Sequence, residues 1–84
     1  IVAAKRSAVT NGKKGGFAKK RPDEVLADVL RRTVAEANIN PNDIEDIVVG
    51  CSMPEAEQGL NVARISSLLA GLPIRVPAFT INRY

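Results

Sequence analysis

Ile44-Glu45-Asp46-Ile47-Val48-Val49-Gly50-Cys51 is the stretch that decides the fold class. Its centre, Ile47-Val48-Val49, is a run of three β-branched residues closed by Gly50. Alternating apolar and polar positions would mark a sheet with one wet face. Consecutive apolar positions instead suit a strand covered on both faces, the usual situation in a parallel sheet.

A helical pattern lies on each side of this run. Upstream, Pro22 fits a first helical position, where its missing N–H removes nothing the helix needs. Asp23 and Glu24 then place negative charge at the positive end of the helix dipole, with Arg31 and Arg32 further toward the other end. Val25, Leu26, Val29, Leu30, Val34 and Ala37 recur at three- and four-residue spacing and form one apolar stripe. Asp28 can reach Arg31 and Arg32 on the outer face. Asn38 and then Asn40-Pro41 stop the helix. Downstream, Ser52 to Leu60 reads as a loop, and Asn61 is a candidate N-cap. Val62, Ile65, Leu68, Leu69 and Leu72 supply the stripe of a second helix, which Gly71 ends and Pro73 keeps from resuming.

Two further extended segments flank these helices. Ile1-Val2-Ala3-Ala4 is short, apolar and bounded by charge, and reads as a buried strand whose start is absent. Ile74 to Ile81 reads as another, with Pro77 delaying the regular ladder until Ala78. Thr10 to Lys20 carries Asn11-Gly12 and Gly15-Gly16 among lysines and reads as a loop. The order is β-α-β-α-β, which defines an α/β fold with a mostly parallel sheet and right-handed crossovers. Eighty-four residues make one domain at most, so 1–84 is read as a single, partial unit.

Charge is unevenly placed. The net +3 conceals a first segment, residues 1–21, with seven basic side chains and no acid; the remaining 63 residues carry a net −4. Such a run is ordinarily a solvated loop, with a polyanion-binding arm as the rival. A small basic nucleic-acid-binding module is one reading, but stacking aromatics are absent and the basic residues follow no helix face. Cys51 is the only cysteine, so no intrachain disulfide forms, and without histidine there is no Cys–His or Ser–His pair within the chain. No apolar run reaches the length of a membrane span.

Several stretches, in order and in register, resemble the thiolases that act on 3-ketoacyl-CoA. They are Ile1 to Ser7, Gly15-Gly16-Phe17 leading to Arg21-Pro22-Asp23-Glu24, and Asp46 to Gly50. Glu57-Gln58-Gly59-Leu60-Asn61-Val62-Ala63-Arg64 follows, then Gly71-Leu72-Pro73 with Val76-Pro77-Ala78, then Thr80-Ile81-Asn82-Arg83-Tyr84. Ser7 stands where a threonine is more usual, and Val9-Thr10-Asn11 replaces a proline and glycine turn, so that loop's geometry is not carried over. A ketoacyl synthase-type condensing enzyme shares the fold, but the Asn82-Arg83-Tyr84 ending fits it less well.

The resemblance implies thiolysis of a 3-ketoacyl-CoA, or the reverse Claisen condensation, through a cysteine acyl-enzyme. It implies that the nucleophile follows directly after Tyr84, at a strand-to-helix turn where a helix N-terminus stabilises a thiolate. The chain is then an N-terminal fragment without catalytic, cofactor-binding or metal-ligating residues of its own, and coenzyme A is a substrate of the complete enzyme. Cys51, at the end of the second strand, is a packing residue on this reading. Ala78, Phe79, Thr80, Ile81, Asn82 and Arg83 are the candidate interface of a homodimer or dimer of dimers. Arg83 is also a candidate for holding the active-site turn, and Lys13 to Arg21 for meeting the phosphates of CoA. The expected partners are the rest of the chain and an acyl-CoA, with neither nucleic acid nor a membrane span. The expected location is cytoplasmic in a bacterium and peroxisomal or mitochondrial in a eukaryote.

Three strands and two amphipathic helices leave sheet edges and an apolar face uncovered. The isolated 84-residue chain is therefore expected to be inactive and to lack a cooperative thermal transition. Sharp amide dispersion in its NMR spectrum would contradict this.

Overall fold

The helix that begins at Pro22 runs as α1, Pro22–Ala37, in a computed structural model that describes residues 1–84. Asn38 ends it in the left-handed conformation (φ 51°, ψ 43°), a geometry asparagine tolerates better than most residues. A 3-10 turn at Pro41–Asp43, where the Asn40 side chain accepts from the Asn42 N–H at 3.0 Å, leads to β1, Ile47–Gly50. A second 3-10 turn, Ala56–Gln58, precedes α2, Val62–Leu69, and β2 follows at Ala78–Ile81. The end of α2 is a two-bond cap. The Leu72 N–H donates to the Ser67 carbonyl at 3.1 Å and the Gly71 N–H to the Leu68 carbonyl at 3.0 Å. That cap needs Gly71 at φ +76°, where a side chain is strained.

β1 and β2 pair in parallel, Ile47 opposite Ala78 through Gly50 opposite Ile81, with α2 as the crossover. The α/β class and the parallel sheet expected from the sequence are present, as is the strand start at Ala78. Both helices lie on one face of the sheet. Ala27 of α1, Ile47 of β1, and Ala70, Leu72 and Val76 after α2 form the buried core, with Leu30, Val34, Ile44, Val49 and Ala78 packed around it.

Three expectations are corrected. Ile1-Val2-Ala3-Ala4 forms no strand, so the sheet has two strands rather than three. Val2 is 80% exposed, and only Ala3 is half-buried. The apolar run ends after four residues; Val2 and Ala3 lie near β1 and α1, sharing a cavity with Ile47, Val48 and Val34, but form no ladder with the strand, and Lys5 meets Glu36 of α1 at 3.6 Å. Second, β1 is covered on one face only. Ile47 is buried while Val48 is 56% exposed, because nothing packs on the side opposite the helices.

Third, the expected stripe of α2 is buried only in part: Val62 and Leu72 are buried and Ile65 is half-buried, but small residues take the place of Leu68 and Leu69 on the packed face. Val62, Ala63, Ser66 and Ser67 are buried, whereas Leu68 and Leu69 remain about half exposed. Small side chains let α2 approach α1 closely, and both serines satisfy their hydroxyls. Ser66 Oγ donates to the Asp23 carbonyl across the helix contact at 3.2 Å, and Ser67 Oγ to the Arg64 carbonyl at 2.8 Å. No buried side-chain polar atom lacks a partner. Satisfied hydroxyls remove the usual cost of burying serine.

Ser66→Leu restores a leucine to the face that touches α1, and overpacking of this kind costs about 1–3 kcal/mol. Urea melts of the shortest form of the protein that unfolds cooperatively check this. A loss no greater than that from Leu68→Ser would mean that the leucine stripe, not the serine face, makes the contact.

Candidate functional site

The candidate functional region is the C-terminal end of β2 and the N-terminus of α2 beside it. Asn61 caps α2 from an unusual backbone position, φ 63°, preceded by Leu60 at φ 53°. Two successive non-glycine residues in the left-handed region are uncommon, and such strain persists only where the surroundings hold it. Here the holding groups are visible. The Asn61 Oδ1 accepts from the Arg64 N–H at 3.4 Å and from the Thr80 hydroxyl at 2.9 Å. The Asn61 Nδ2 donates to the Ala78 carbonyl at 3.0 Å, and the Ala63 N–H donates to Thr80 Oγ1 at 3.2 Å. The first turn of α2 is therefore capped jointly by its own N-cap and by a strand residue.

Arg64 adds a second attachment one turn on. Its Nη1 donates to the Val76 carbonyl and its Nη2 to the Ile74 carbonyl, both at 2.8 Å. These bonds fix the turn at residues 74–76 that feeds β2, where the sequence suggested extended chain and the Val76 N–H instead returns to the Pro73 carbonyl at 3.1 Å.

The six candidate interface residues divide by face. Ala78 and Thr80 are half-buried toward α2. Phe79 and Ile81 face outward at 46% and 43% exposure, alongside Val48, while Asn82 and Arg83 lie exposed past the strand. Arg83 is exposed and its side chain is free of ion pairs within residues 1–84. Cys51 is half-buried at the end of β1, and its N–H donates to the Ile81 carbonyl at 3.0 Å. No group of three or more His, Cys, Asp or Glu residues gathers in a metal-binding arrangement.

The basic segment is partly consumed by internal pairs. Lys20 meets Glu24 at 3.4 Å. Arg21 makes a two-pronged contact with Asp23, Nε to Oδ1 at 3.2 Å and Nη2 to Oδ2 at 2.9 Å, and reaches Glu57 at 3.5 Å. Asp23 is buried, its side chain 4% exposed, rather than serving only as surface charge at the helix start. The Arg21 hydrogen bond holds its carboxyl below the ordinary value of 3.8; burial opposes this, and the guanidinium charge and the Glu24 N–H reinforce it. Arg21 is held above its own ordinary value, first by the same hydrogen bond.

Sequence reasoning assigned Asn61 its cap but missed Thr80, the Arg64 clamp and the Arg21–Asp23–Glu57 group. The arginine directly before a Pro-Asp helix start was a legible signal for the last. Nothing in the spacing links Asn61 or Arg64 to residues 10 to 19 positions away.

The structure is a parallel β-α-β unit with both helices on one face of the sheet and exposed residues after its second strand, an α/β arrangement compatible with the start of a thiolase-type fold. The chain belongs to the thiolase family: the model of the thiolase N-terminal domain matches residues 1–84. A 3-ketoacyl-CoA thiolase of Bacillus subtilis is 48% identical over 84 residues, covering 100% of this chain and 22% of the relative. The peroxisomal 3-ketoacyl-CoA thiolase 1 of Arabidopsis thaliana is 42% identical over 83 residues, 99% of this chain and 19% of its own length. A Vibrio cholerae 3-ketoacyl-CoA thiolase is 42% identical over 84 residues, again 99% and 22%. The chain spans about a fifth of the length of these relatives. Neither the nucleic-acid reading nor the ketoacyl synthase reading finds support among them. No helix is long and apolar enough to cross a membrane.

The Asp23 shift has a defined sign. A carboxyl whose folded pKa is depressed contributes stability that is complete above its unfolded value and is lost as pH falls through the lower folded value. Asp23→Asn should therefore lower stability at neutral pH and flatten the acid limb below about pH 4. Urea midpoints measured across that limb check it, and a parallel offset at every pH would contradict it.

Proposed function

We propose that this chain is the N-terminal part of a thiolase that cleaves 3-ketoacyl-CoA with coenzyme A, or runs the reverse condensation. The observation that carries this reading is the match to the thiolase N-terminal domain along all 84 residues, with relatives named as 3-ketoacyl-CoA thiolases at 42–48% identity. In the forward reaction a cysteine thiolate attacks the 3-keto carbon. The bond between carbons 2 and 3 breaks, and acetyl-CoA leaves after its carbanion takes a proton. The acyl thioester on the cysteine then passes to the thiol of incoming CoA, which is nucleophilic catalysis with acid–base assistance.

Residues 1–84 provide the support on this reading. The nucleophile is carried beyond β2, and the histidine that activates it and the second cysteine that moves the proton lie further along, since the chain contains no histidine and Cys51 is tucked against the end of β1. The interface of the homodimer, or dimer of dimers, runs along residues 78–83. The outward Phe79 and Ile81, with Val48 beside them, supply the apolar area an interface core requires. Its location follows the host: cytoplasm in a bacterium, peroxisome or mitochondrion in a eukaryote.

The full-length protein, given a 3-ketoacyl-CoA and CoA, should release acetyl-CoA and the shortened acyl-CoA. Cys51→Ala should keep kcat within about twofold of the parent, because a half-buried cysteine at a strand end acts as a small apolar residue. Loss of acyl-enzyme formation in that variant would place the nucleophile at Cys51 and defeat the reading.

A further inference from the structure

Beyond the scaffold role, the hydrogen bonds at the start of α2 single out particular side chains. β2 is four residues long and paired on one side only. The β1 ladder fixes its register, with the Pro77 and Ile81 carbonyls accepting from Ile47 and Cys51 N–H groups at 3.1 and 3.0 Å. A ladder on one side leaves the strand free to tilt relative to the helices. The alternate carbonyls of Ile74, Val76 and Ala78 accept instead from side chains of α2: two from Arg64, one from Asn61. Thr80 then uses its hydroxyl in both directions, donating to Asn61 Oδ1 and accepting from the Ala63 N–H. Strand and helix cannot shift past one another without breaking this set together.

We propose that Thr80 and Asn61 are positioning residues for the thiolase nucleophile: the Thr80 hydroxyl, locked between Asn61 and the Ala63 N–H, sets the direction in which β2 delivers the chain to the active site. The proposal rests on the thiolase reading above. Thr80 is one residue from the end of β2, and the four residues Ile81 to Tyr84 lie between it and the position where the thiolase reading places the nucleophile, so the direction of the strand end sets where that short segment starts. Misplacement of a reacting group by about 1 Å costs as much as 100-fold in rate.

The test uses the full-length enzyme. Thr80→Val keeps the shape and removes the hydroxyl; Thr80→Ser restores it. Asn61→Gly keeps the left-handed backbone and the helix start at little cost while removing every side-chain bond. In Thr80→Val and Asn61→Gly, kcat for thiolysis and the rate of iodoacetamide alkylation of the nucleophile should both fall about 10- to 100-fold, with KM changed by less than about threefold. Thr80→Ser should recover both to within about threefold of the parent, a rescue that general loosening of the fold does not produce. Melting curves of each variant separate these effects from unfolding, and Asn61→Gly carries the test should Thr80→Val fail to fold. Folded variants with the parent's kcat and alkylation rate overturn this proposal alone, as does a Thr80→Ser no better than Thr80→Val. A parent enzyme inactive on 3-ketoacyl-CoA overturns the thiolase reading and this proposal with it.

Discussion

The close contact of α2 with α1 is the constraint from which the other features follow. α2 packs against α1 on one side and against both strands on the other, so it is the element that joins the two halves of the chain. Ala63 and Ser66 are wholly buried, and Ser66 spends its hydroxyl on a carbonyl of α1. Larger side chains there would push the helices apart. Any separation would also draw the first turn of α2 away from β2, because Asn61, Ala63 and Arg64 all hold that strand or the turn leading to it. Helix packing and strand placement are thus one problem, solved by the same eight-residue helix.

Much of this was legible in the residues. Pro22, Asn38, Asn61 and Gly71 mark ends of helices by local chemistry, which is written in neighbouring residues and so can be read without knowing the tertiary partners. The run Ile47-Val48-Val49 and the delay imposed by Pro77 located both strands for similar reasons. What was not legible depended on partners. The leucines of α2 suggested a buried stripe, yet the packed face is the one where two serines permit close approach, and hydropathy cannot rank a satisfied buried hydroxyl above a half-exposed leucine. Ile1 to Ala4 has the composition of a strand, but a strand needs a ladder, and this segment lies beside β1 without forming one. Arg64 looks like any charged helix residue until its guanidinium is seen spanning two carbonyls.

Electrostatics tie the loop before α1 to the same frame. Arg21 joins the buried carboxylate of Asp23 to Glu57 on the turn that precedes α2. An exposed ion pair contributes little, but a buried carboxylate stripped of its partner is destabilising. The pair therefore works less as a source of stability than as a requirement on geometry: Asp23 can be buried only where Arg21 reaches it. Lys5, Lys20 and Arg21 are engaged with acids, so the cluster of positive charge in the first 21 residues is a weaker external field than its composition suggests.

The one-sided sheet leaves an apolar surface and one rim of strand ends open. With both helices on one face, β1 and β2 present Val48, Phe79 and Ile81 outward, an apolar surface that a larger assembly can cover. Parallel strands place their C-terminal ends on one rim, and it is at such rims that open α/β sheets assemble their chemistry. Gly50 and Ile81 reach that rim side by side in register. The two strand ends differ in what holds them: β1 ends at Gly50, held by the ladder to Ile81, whereas β2 also takes bonds from the start of α2 almost to its last residue. A strand that merely completes a sheet needs no such second set of attachments. The positioning role proposed for Thr80 and Asn61 accounts for that second set, because a ladder on one edge determines position along the strand and leaves its inclination to whatever grips the other side.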